Sequence, residues 1–121
     1  MLPTLSRVVV SVQDLTRALA LYRDVLDLPA VLAPGFASLE TGNGVAMLLH
    51  ERPSTPSDTA VAASFTVADL DGVCARWARG GGEIVGRPQR QPWGERMAVV
   101  RDADGHLVCL VDGGRTDGPR R

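Results

Sequence analysis

At 121 residues, with 45% hydrophobic and 22% charged side chains, the chain has the composition of one ordinary globular domain able to bury a core. Its 13 basic and 14 acidic residues leave a net charge of −1, which supplies no bulk attraction to nucleic acid or an anionic membrane. No apolar run reaches the ~20 residues of a membrane helix. Met1-Leu2-Pro3-Thr4 lacks the charged start and apolar stretch of a signal peptide, and two cysteines, Cys74 and Cys109, make no disulfide scaffold, so a reduced, cytoplasmic setting is expected.

The β-branched run Arg7 to Val12 predicts a strand. Asp14 offers an N-cap, and Leu15, Ala18, Leu19, Tyr22, Val25 and Leu26 recur at helical spacing until Pro29 stops the helix. Three short strands are expected at about 30–33, 36–41 and 45–50, with turns at Pro34-Gly35 and Gly42-Asn43-Gly44. A polar, proline-bearing linker over about 51–60 separates this stretch from the next. A strand at about 61–67 leads to Asp69 and a helix burying Leu70, Val73, Cys74 and Trp77, which Gly80-Gly81-Gly82 ends through a left-handed cap. Strands near 83–85, 95–101 and 106–112 follow, the last two joined by an Asp104-Gly105 turn. Residues 113–121 are expected to form a disordered tail.

The chain repeats itself. Val8-Val9-Val10-Ser11-Val12-Gln13-Asp14-Leu15 answers Ala63-Ser64-Phe65-Thr66-Val67-Ala68-Asp69-Leu70, an offset of 55 positions that also brings Tyr22 onto Trp77. Repeats of this kind are supersecondary units. The expected fold is α+β within a single domain, two tandem βαβββ modules over 5–50 and 61–112.

This doubled unit resembles the vicinal oxygen chelate superfamily of glyoxalase I, extradiol dioxygenases and bleomycin-resistance proteins. Val10-Ser11-Val12-Gln13-Asp14-Leu15 and Tyr22-Arg23-Asp24-Val25-Leu26 are similar to the family's opening strand and helix. Pro92-Trp93-Gly94-Glu95-Arg96 and Asp102-Ala103-Asp104-Gly105-His106-Leu107-Val108 are similar to its closing signature, with Ala103 where Pro is usual and His106 where Asn is usual. The resemblance covers nearly the whole chain. It implies curved sheets enclosing a cleft and, in metal-using members, a His on each first strand with a Glu-like ligand on each last strand.

The corresponding positions are assigned to Arg7, Met47, Ala62 and Cys109. A divalent ion needs imidazole or carboxylate there, and the fixed charge of Arg7 repels a cation. No metal or other cofactor is therefore expected, and the reading leans away from an enzyme. Strand parity would turn Arg7, Val9, Ser11, Met47, Leu49, Ala62, Ser64 and Cys109 toward the cleft, and His50 and His106 away from it. Glu40 is read as solvent-facing, as a partner for Arg7, or as an acid–base group. Cys109 is read as a small apolar filler or, with a stabilised thiolate, a nucleophile. Trp93 and Phe36 either stack on a flat heteroaromatic ring or pack core and interface. Arg96, beside the Trp93 loop, is counted with the ligand-contacting residues. Tyr22 and Trp77 are assigned to the core.

The resemblance in its metal-free, bleomycin-resistance form implies a homodimer that sequesters a small organic ligand, a natural product or antibiotic. The alternatives are a metal-dependent lyase or dioxygenase and a metal-free isomerase or cyclase using Glu40, Arg7 or Cys109.

Overall fold

The computed structural model describes residues 1–113; of the expected tail, all but Gly113 lies outside the described residues. The chain divides into two compact units, Met1–Ser54 and Thr55 onward. Each is an α+β module of βαβββ order, as the repeat predicted.

The first module runs β1 (Arg7–Val12), α1 (Leu15–Tyr22), β2 (Ala30–Ala33), β3 (Phe36–Glu40) and β4 (Ala46–Glu51). Its sheet has the order β1-β4-β3-β2, so the first strand pairs in parallel with the last while the hairpin strands pair antiparallel. Helix α1 packs on β3 and β4. Ala18, Leu19 and Tyr22 are buried on it, and Val12, Ala37, Leu39, Met47 and Leu49 are buried on the strands. The opposite sheet face carries no helix of this module.

Asp14 caps α1 by accepting from the Arg17 N–H at 3.2 Å, and Glu51 accepts from the Leu15 N–H at 2.9 Å. Two of the N–H groups that every helix start leaves unpaired are thereby satisfied. Glu51, expected to open the linker, is instead the last residue of β4. The helix also ends before its apolar stripe does. Asp24 and Leu26 N–H groups reach back five residues to Leu19 and Leu21 carbonyls, and Asp27 adopts a left-handed φ of 60°. This widened turn keeps Val25 buried without helical backbone.

The second module runs β5 (Ala63–Val67), α2 (Leu70–Arg79), β6 (Glu83–Arg90), β7 (Arg96–Arg101) and β8 (Leu107–Asp112), with sheet order β5-β8-β7-β6. Leu70, Val73, Cys74 and Trp77 of α2 are buried, as are Ala98, Val100, Val108 and Leu110 of the sheet. The Trp77 indole N–H donates to the Arg101 carbonyl at 2.8 Å. β6 is much longer than expected. It continues through Gly86 and Pro88 with two register shifts against β7, which an edge strand tolerates because proline there costs no ladder bond.

The segment before β5 is tied to this module. Ser57 donates its N–H to His106 Nδ1 at 3.1 Å, its hydroxyl accepts from Leu107 N–H at 2.9 Å, and its carbonyl accepts from Arg101. His106 thus sits just ahead of β8 as a bracket for this segment. No helix among the described residues is long and apolar enough to cross a membrane.

Candidate functional site

The open face of the first sheet is laid out by its register. Arg7, Ala46 and Glu40 form one row across β1, β4 and β3. Val9, Leu48, Ser38 and Val31 form the next, and Ser11, His50, Phe36 and Ala33 the third. Rows are about 7 Å apart along the strands. Val9 is 49% exposed and Phe36 39%. Phe36 stacks on His50 with ring centroids 4.6 Å apart and an interplanar angle of 25°. Arg52 donates to the Ser11 hydroxyl at 2.6 Å.

This layout corrects the expectation for β4. Met47, 3% exposed, and Leu49, wholly buried, lie on the helix-packed face. Ala46, Leu48 and His50 take the open face instead. The run Ala46-Met47-Leu48-Leu49 is apolar throughout, so it carried no alternation from which to choose a face. The 55-residue offset takes Val9 to Ser64, whose strand partner is Cys109, whereas the partner of Val9 is Leu48. Leu48, not Met47, is therefore the counterpart of Cys109.

At one end of this face lies a depression of about 380 Å³ lined by Pro29, Ala30, Val31, Ser38, Leu39, Glu40, Thr41, Gly44, Val45 and Ala46. Its rim is held by the Thr41 hydroxyl, which donates to the Val45 carbonyl. Arg7 lies across Ala46 from Glu40. Neither the Arg7 nor the Glu40 side chain has an ion-pair or hydrogen-bond partner among the described residues.

On the second sheet Ser64, Cys109 and Val99 share one row of the open face, and Thr66, Val111 and Met97 the next. Ala62 is exposed just ahead of β5. Cys109 is partly exposed, whereas burial pushes the Cys74 thiol pKa up, with help from the Asp71 charge. Arg96 is on the other face. Its guanidinium pairs with Asp71 of α2 at 2.9 Å and lies 3.8 Å from Asp112, so it braces helix to sheet and does not reach the open face. That pairing holds the Asp71 carboxyl below its ordinary pKa. Trp93 lies in the β6–β7 connection, 65% exposed, with its indole N–H donating to Glu95 at 2.8 Å.

The positions that the resemblance assigns to metal ligands, with Leu48 replacing Met47 by register, hold Arg7, Leu48, Ala62 and Cys109. One is a cation, two lack donor atoms and one is a lone thiol. This set does not fit a divalent ion, and no group of three or more His, Cys, Asp or Glu side chains among the described residues is placed to hold one.

Residues 4–110 match the family model described as the glyoxalase/bleomycin resistance protein/dioxygenase superfamily. Comparison with curated proteins gave no match. Among solved structures, a family enzyme from Burkholderia phytofirmans PsJN is 16% identical with a TM-score of 0.79, over 91% of this chain and 98% of that one. A glyoxalase/bleomycin resistance protein from Albidiferax ferrireducens T118 is 20% identical with a TM-score of 0.74, over 89% and 97%. TioX from Micromonospora sp. ML1 is 26% identical with a TM-score of 0.69, over 91% and 98%. With its two βαβββ modules and a family match over most of its length, the chain belongs to the glyoxalase/bleomycin resistance protein/dioxygenase superfamily.

Proposed function

We propose that this protein is a metal-independent binder of a small organic molecule, a natural product or antibiotic, which it sequesters without converting it. The observation that carries the reading is the open face of the first sheet. It presents Val9, Leu48 and Phe36 with a few polar groups, Arg7, Ser11 and Glu40, the mixture of apolar wall and sparse polar contacts that small-molecule sites use. The unsuitable set Arg7, Leu48, Ala62 and Cys109 supports the metal-independent part. On the second sheet, Ser64 and Cys109 offer a smaller polar–apolar surface, and exposed Trp93 offers a flat ring for stacking.

The working unit in this reading is a homodimer in the cytoplasm. Edge strand β2 exposes Val31 and Leu32, surface that a second copy would cover, and both cysteines are free, as a reducing compartment requires. Sedimentation equilibrium showing a monomer at micromolar concentration would remove the dimer.

The functional test is a thermal-shift screen of natural-product antibiotics, bleomycin included, with recovery of each hit by mass spectrometry. A hit at a hundred times its Kd stabilises the fold by about 2.7 kcal/mol and comes back unchanged. Conversion of the hit to product, or binding that depends on a stoichiometric divalent ion, would overturn the reading.

A further inference from the structure

The unpartnered charges on the first sheet narrow the ligand class. Arg7 and Glu40 stand on one row of the open face, separated only by Ala46 on β4. Two strand spacings put their Cα atoms about 10 Å apart. Both side chains are exposed, and neither has a hydrogen-bond or ion-pair partner among the described residues. Between them, alanine keeps the floor low. Glu40 also belongs to the depression of about 380 Å³, whose other polar side chains, Ser38 and Thr41, are uncharged. A cation-seeking end and an anion-seeking end are thus held on one rigid sheet, with room between them.

Resting on the binding reading above, we propose that this face takes a zwitterionic small molecule of amino-acid type with a flat apolar body. The ammonium group donates to the Glu40 carboxylate. The carboxylate accepts from the Arg7 guanidinium, whose paired N–H groups match a carboxylate in plane and spacing. The body then lies along β4 toward the next row, over Leu48 and beside Val9. A ring extending from there approaches the exposed edge of Phe36, which its stack on His50 holds in place. A molecule with only one of the two charges leaves the other protein group unanswered and forfeits one charge-assisted interaction.

Three probes sharing one ring isolate the head group: tryptophan, tryptamine and indole-3-propionate. Calorimetric titration of the full-length protein is expected to show tryptophan binding about ten-fold or more tighter than either analogue, the size of one lost hydrogen bond to a charged group. Glu40→Gln should reduce tryptophan to the level of indole-3-propionate while leaving indole-3-propionate itself unweakened. Arg7→Gln should reduce it to the level of tryptamine. Both substitutions change exposed side chains, so an unchanged melting temperature verifies the fold of each variant. Equal binding of the three probes, indifference to both substitutions, or no binding of any probe at millimolar concentration overturns the zwitterion. An antibiotic hit from the wider screen that is lost on Leu48→Arg but ignores Arg7 and Glu40 would leave the binding reading standing without it. A screen with no hit at all would remove both.

Discussion

Three consecutive glycines after α2 serve three different purposes. Gly80 caps the helix in ordinary right-handed geometry, with φ −81°, and Gly81 supplies the left-handed turn at φ 109°. Gly82 has no unusual φ, but a Cβ on it would run into Trp77 Nε1 and Cδ1. That indole is fixed by its bond to Arg101 and has nowhere to retreat. Gly82→Ala is therefore expected to cost about 1–3 kcal/mol, the range for overpacking a tight core, read as a lower midpoint in urea. Neighbouring β4 residues give a sharper contrast. Met47→Ala opens a hole under α1 and should cost about 2–5 kcal/mol. Leu48→Ala, on the open face, should cost far less and act on ligand binding instead. Denaturation midpoints of the two variants decide whether the faces are assigned correctly.

At the level of elements, the two helices begin alike in sequence and differently in backbone. Asp14 is extended at φ −138° and Asp69 left-handed at φ 55°, yet both side chains accept an N–H three residues on. Removing the first cap, Asp14→Ala, should cost about 1 kcal/mol by thermal denaturation. Asp71, in the first turn of α2, is ion-paired with Arg96, which lowers its folded pKa below the unfolded value. The stabilisation is full above the unfolded carboxylate pKa and drains away as pH falls through the lower folded value. Asp71→Asn should accordingly lower stability modestly at neutral pH and leave it unchanged at acid pH, which flattens the acid limb of a stability-versus-pH curve.

The strands, the capping aspartates and the repeat were legible because each has a local signature: β-branched runs, an Asp before an apolar stripe, a constant offset. The inward-facing side of β4 was not, since four apolar residues in a row match either parity. The clue lay at the strand ends. Both last strands finish on an acid, Glu51 and Asp112, and aligning those two brings Leu48 onto Cys109. Arg96 was misread for a different reason. Its partner Asp71 lies 25 positions away in sequence, and only the packing of α2 on the sheet brings the two together. The length of β6 was hidden by Gly86 and Pro88, which read as breakers and act as bulge and edge residues.

For the molecule as a whole, the family match and the paired modules place the chain in a superfamily that includes enzymes, and the proposed reading is independent of metal. Exhaustive chelation with EDTA followed by desalting should leave the melting temperature and the affinity for any screened ligand unchanged. A loss of either, restored by one added divalent ion, would require ligands outside the set assigned above.

In each module the opening strand finds its sheet partner only in the closing one, as Arg7 does in Ala46 and Ala63 in Val108. During synthesis, then, β1 leaves the ribosome with no neighbour and waits about forty residues for one; a hairpin of β2 and β3 is available long before it. Each half must consequently assemble in a late, all-at-once step once its final strand emerges. A nascent chain that has released β1 but not yet β4 would carry a valine-rich ribbon without its sheet partner, a form open to capture by chaperones.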